Sequence, residues 1–111
     1  MEFIGKLHFQ TDQPLNSLAM QLGQLLGLTF ESDISGRYEE FPAYSADVIG
    51  MEFALLGIPP DEDQDPESPV DYYTLLVSTY ADTPSDEEID ISQYLARIIR
   101  GGNIGCTLPE E

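Results

Sequence analysis

The stretch "DYYTLLVSTY", Asp71 to Tyr80, carries apolar side chains on both of its faces. Tyr73, Leu75 and Val77 alternate with Tyr72, Leu76 and Tyr80, and the run is rich in aromatic and β-branched residues, as a strand requires. Apolar residues on both faces mark a strand set inside a sheet, not at its edge. The rest of the chain must therefore supply neighbours for it.

Several other segments can do so. "EFIGKLHF" places Phe3, Leu7 and Phe9 on one face, with Gly5 between them, at strand spacing. "LTFESD" reads as a short strand ending in a turn at Ser35-Gly36. "RYEEFPAYSA" is extended, with Pro42 indicating an edge or a bulge. After a turn near Gly50, Met51, Phe53 and Leu55 alternate with Glu52, Ala54 and Leu56. "NIGCTL" offers a last strand. These runs predict a meander of hairpin-linked strands.

Two segments have helical periodicity instead. Leu15, Leu18, Ala19, Leu22, Leu25 and Leu26 form one apolar stripe, with Thr11 or Asp12 as N-cap, Pro14 in the first turn and Gly27 as the stop. In "TPSDEEIDISQYLARIIRGG", Ser85 and Glu88 have capping-box spacing and Asp90 is a rival cap. Ile91, Tyr94, Leu95 and Ile98 make the expected buried stripe, and Arg97 and Arg100 complement the dipole before Gly101-Gly102 ends the helix. The predicted fold is α+β: one domain over residues 1–111, order β-α-β-β-β-β-α-β, with two helices on one face of a mostly antiparallel sheet.

Between two of the strands lies "PPDEDQDPESPVDYY", Pro59 to Tyr73, with six carboxylates and four prolines. Its prolines forbid regular helix and its charge forbids burial, so residues 59–71 read as an acidic loop. It belongs to a chain in which 21 Asp and Glu face four Lys and Arg, for a net charge of −17. Lys6, Arg37, Arg97 and Arg100 cannot assemble a basic patch, which argues against direct binding to nucleic acid or to an anionic membrane. The N-terminus has no basic region leading into an apolar stretch, and no apolar run approaches the roughly 20 residues of a membrane span, so the cytoplasm is the expected location.

Residues suited to catalysis are scarce. His8 is the single histidine and is expected on a strand face with Ile4 and Lys6, in a structural role. Cys106 is the single cysteine, so no internal disulfide forms; it is expected beside Ile104 and Leu108 as a buried, inert thiol. No G-x-S-x-G and no phosphate-loop pattern occurs. Asp61, Asp63 and Asp65 match the first ligand spacings of an EF-hand, but Pro66 replaces its glycine and Tyr72 its final glutamate. The reading is a non-enzyme with no cofactor and no metal.

What remains is recognition by charge. In an extended segment Asp61, Asp63 and Asp65 would stand about 6.6 Å apart, close to the phosphate spacing of a nucleic-acid strand. Such a row suits the basic groove of a nuclease, and affinity would come from aromatic anchors beside it. The expected partner-binding residues are Asp61, Glu62, Asp63, Asp65, Glu67, Asp71, Tyr72 and Tyr73, with Tyr38 or Tyr44 as further anchors. A second acidic cluster, Asp82, Asp86, Glu87, Glu88 and Asp90, is expected at the other end of the Asp71–Tyr80 strand.

A strongly acidic α+β domain of this size without an active site resembles the immunity proteins of bacterial toxins, those of contact-dependent growth-inhibition systems above all. The resemblance lies in the character of the whole chain and carries over no residues. It implies a tight complex with a cognate basic toxin domain, a nuclease and by charge a ribonuclease first. The alternative class is a non-catalytic acidic adaptor in a bacterial assembly.

Overall fold

The computed structural model describes residues 2–32, 42–48, 50–58, 71–79 and 88–108. Its elements are β1 (Glu2–Phe9), α1 (Leu15–Leu26), β2 (Glu31–Ser32), β3 (Ala43–Val48), β4 (Met51–Leu56), β5 (Tyr73–Thr79), β6 (Glu88–Asp90) and α2 (Ser92–Gly101). The strands form one sheet in the order β2-β3-β4-β5-β1-β6. Every neighbouring pair is antiparallel except β1 and β6, which run parallel. The fold is thus α+β, as the periodicities predict, and β5 lies inside the sheet between β4 and β1.

Register explains the core. Leu55, Leu75 and Leu7 pair directly across β4, β5 and β1, and all three are 0% exposed. Phe53 and Val77 form the adjacent row, with Gly5 completing it on β1. Leu18, Ala19 and Leu22 of α1 and Leu95, Ala96 and Ile99 of α2 join the same apolar cluster, so both helices lie on one face. At Gly5 a Cβ would stand 3.4 Å from Leu95 Cδ1, ordinary contact, so α2 packs directly over this strand.

Helix α1 begins and ends with different chemistry. Pro14 itself occupies the N-cap, and no side chain caps the helix, contrary to the expectation for Thr11 or Asp12. A fixed φ near −65° pre-forms such an entry, which needs no hydroxyl. At the other end Gly27 takes φ 72° and its N–H bonds to the Gly23 carbonyl, the expected left-handed stop. Leu28 N–H bonds to the same carbonyl at 2.8 Å, folding the chain back along the helix. A Cβ at Gly23 would then lie 2.6 Å from the Leu28 carbonyl oxygen. Gly23→Ala is accordingly expected to destabilise by about 1–2 kcal/mol, because overpacking against backbone outweighs the roughly 1 kcal/mol gained in helix propensity. Urea denaturation gives the sign directly; a stabilised variant would mean the turn does not press on the helix.

The second helix departs from expectation at its start. Glu88–Asp90 is a strand, so no capping box involving Glu88 opens the helix; Ser85 lies outside the described residues. The edge of β1 takes these three residues into parallel pairing, and Ile91 N–H continues it to the Ile4 carbonyl at 2.8 Å. Asp90 sits one residue before the N-cap, Ile91, and its Oδ1 accepts the Ser92 N–H at 2.9 Å. Ser92, itself buried, accepts the Lys6 N–H on Oγ at 2.8 Å. That docking turns the helix by one residue. Its buried stripe is Ser92, Leu95, Ala96 and Ile99; Ile91 and Ile98 are half-buried, and Tyr94 is 65% exposed.

Past α2, the expected C-terminal strand reduces to a single bridge. His8 and Thr107 exchange both backbone hydrogen bonds at 2.9 Å. Cys106 is buried in the core cluster, as expected, and Arg100 donates to its carbonyl from Nε and Nη2. Arg100 is the basic residue of the last helical turn; Arg97 falls before it.

Candidate functional site

The acidic segment joins β4 to β5, whose last pair is Leu56 with Thr74. The chain therefore leaves the sheet at Ile58 and returns at Asp71 on the same end. Asp61, Glu62, Asp63, Asp65 and Glu67 lie outside the described residues, as do Tyr38 and Tyr80. Asp71 is exposed, and Tyr72 and Tyr73 are half-buried.

The two tyrosines part company at once. Tyr73 lies on the helix-covered face, and its hydroxyl donates to the Gln13 carbonyl at 2.9 Å. That bond ties β5 to the turn before α1, so the phenol is engaged within the fold. Tyr72 lies on the opposite face, its ring 4.2 Å from that of His8 at an interplanar angle of 34°. A single flat surface cannot use both rings as anchors.

On the helix side, the end of the sheet is shaped by Gly57. Its N–H bonds to the Pro42 carbonyl at 2.7 Å, and a Cβ there would meet Leu15 Cδ2 and Pro42 Cγ at 2.9 Å. Beside this close approach is a depression of about 450 Å³, lined by Leu15, Ser32, Tyr44, Ile58 and Tyr73 among others. A second, of about 400 Å³, is lined by Met20, Gly23, Leu28, Phe30 and Tyr44. Tyr44 and Asn16 border both, so the two depressions lie side by side along α1, and together they are called the furrow. Residues at both ends of the acidic segment, Ile58 and Tyr73, stand on its rim.

Tyr44 is legible in the sequence as a candidate anchor, whereas Met20, Phe30 and Ile58 carry no comparable mark. The available signal for Met20 was its place off the apolar stripe of α1, next to Asn16 and Gln24 one turn away on either side.

The described part of the second acidic cluster is at the other end of β5. Asp82, Asp86 and Glu87 lie outside the described residues, whereas Glu88 and Asp90 belong to β6. The seven residues of β5 span about 20 Å, so the two clusters meet the sheet at separate ends. Hydrogen bonds from the Ser92 side chain and backbone hold the Asp90 carboxyl below its ordinary range. This acid serves the entry to α2.

His8 has an unusual setting for a structural histidine. Its Nε2 is buried without a hydrogen-bond partner, and its pKa is lowered from 6.5 by burial and then by Lys6. The fold therefore favours the neutral ring. The unfolded chain binds the proton first as pH falls, so the stability present above pH 6.5 is lost below it, through the folded-state value. His8→Gln is expected to flatten the melting temperature between pH 7.5 and 5.5, where the parent should fall. Equal slopes for both proteins would show that the ring titrates as if unfolded.

Among the described residues, no group of three or more His, Cys, Asp or Glu is placed to hold a metal ion. Among them also, no helix is long and apolar enough to cross a membrane. No family model, curated protein or solved structure matches this chain.

Proposed function

We propose that this protein is an immunity protein, which binds and neutralises a basic toxin domain in the cytoplasm of the cell that makes it. The observation that carries this reading is the junction of charge and apolar surface. A segment with six carboxylates between Pro59 and Asp71 is anchored at both ends on the rim of a tyrosine-lined furrow. Carboxylates speed and orient the encounter with a cationic surface, while apolar anchors supply the slow dissociation a useful inhibitor needs.

A nuclease, and a ribonuclease first, suits this surface best. Its substrate groove is built to hold phosphates, and a row of carboxylates competes for the same cationic side chains. Inhibition then needs no chemistry from the inhibitor: substrate is excluded by bulk and by charge. The described cations support the assignment by their positions. Lys6 lies on the face opposite the helices, and Arg97 and Arg100 lie on α2, none of them lining the furrow.

The test is recovery of the partner. The tagged full chain, isolated from its native host at low salt, should bring down a stoichiometric basic protein. That protein should arrest growth when expressed alone and be harmless when co-expressed with this chain. Recovery of a harmless assembly component would replace the toxin reading with that of an acidic adaptor.

A further inference from the structure

The furrow along α1 is apolar at a place where a solvated surface would be polar. Of the four large hydrophobic residues exposed among those described, two border it: Ile58 (37%) the first depression and Met20 (67%) the second. Tyr44 lies between them. Helix α1 contains no charged residue, so the furrow's helical wall has no ion-pairing group of its own. The charges nearest it in the chain are acids: Glu31 precedes the lining residue Ser32, and Asp71 precedes Tyr72 and Tyr73; both acids are exposed. A partner that fills the furrow thus needs apolar side chains on its inner side and cations beside them.

We infer that this furrow is a docking groove for a short basic segment of a protein partner, one that inserts leucine, isoleucine or phenylalanine side chains between flanking lysines and arginines. The length fits. From Leu15 to Gln24 the helix rises about 14 Å, the reach of four extended residues. Two anchors at alternate positions would stand about 6.6 Å apart, within that reach. The exposed thioether of Met20 adapts its shape to either an aliphatic or an aromatic anchor. The inference rests on the reading of a basic partner and deepens it, by assigning apolar affinity to this furrow and steering to the acidic segment.

Selection of a random dodecapeptide phage library on the full chain tests it. Enriched sequences should carry two apolar residues spaced by one, flanked by at least two Lys or Arg. They should bind Met20→Glu and Ile58→Asp proteins about tenfold more weakly, the loss of one buried anchor. Both variants add negative charge, so attraction by charge alone would strengthen instead. Circular dichroism melting confirms that each variant folds. No enrichment, enrichment without the apolar pair, or binding unchanged in both variants would overturn the inference. If the native partner proves harmless to cells but its binding falls in the same two variants, the groove stands and the toxin assignment falls.

Discussion

Replacing Asp61, Glu62, Asp63, Asp65 and Glu67 together with Asn and Gln is expected to slow association with the proposed basic partner by about 10- to 1000-fold at low salt. The change removes five of the seventeen net negative charges and leaves every residue of the described core cluster as it is. Self-repulsion falls, so thermal stability should stay level or rise. Stopped-flow measurement across salt concentration separates this effect from lost packing. The parent's rate should drop steeply with added salt, and the variant's should not, because a Debye length of about 3 Å at 1 M screens all but direct contacts. Neutralising Asp82, Asp86 and Glu87 should do much less at physiological salt. Their segment meets the sheet about 20 Å away along β5, beyond a Debye length of about 8 Å. Equal rates for parent and five-fold variant at every salt concentration would sink occlusion by acidic mimicry.

Leu75→Ala should cost about 2–5 kcal/mol, a large part of the 5–15 kcal/mol that a domain of this kind has in total. Leu75 is 0% exposed at the centre of the Leu55–Leu75–Leu7 row, and side chains packed from three strands and two helices cannot all collapse into the gap. Its neighbour in sequence provides the contrast. Leu76 lies on the opposite face and is half-buried, so Leu76→Ala should cost less, about 1–2 kcal/mol. Urea denaturation of the pair decides it. A larger loss at Leu76 than at Leu75 would place the principal core on the other side of the sheet.

The alternation in "DYYTLLVSTY" was enough to assign those faces before any tertiary contact was known, because side chains in a strand repeat every two residues. The same holds for α1, where six apolar residues at helical spacing and one glycine define both the buried side and the end. For the proposed functional surface, the acidic segment is conspicuous by composition. Its aromatic neighbours were not distinguishable by sequence. Tyr72 and Tyr73 look equivalent until the Gln13 carbonyl takes one hydroxyl and the His8 ring packs on the other side chain. The furrow was equally hidden, since Met20, Tyr44 and Ile58 come from three separate segments.

The sequence by itself determined what depends on local period and charge: the α+β class and the order of elements from β1 to β5, the inner position of β5, the stop at Gly27 and the acidic character of the 59–71 connection. Only tertiary structure decided what depends on an unpaired edge. Glu88–Asp90 has the composition of a helix start, yet the free edge of β1 offered backbone partners that an isolated first turn lacks, and the segment became a parallel strand. Ser92 Oγ accepts the Lys6 N–H, and in that seating of α2 Ile99 lies in the core and Tyr94 in solvent. The Lys6 N–H pairs with a side-chain oxygen of α2, and a helix seated by that bond buries a face one residue away from the one its apolar pattern indicates.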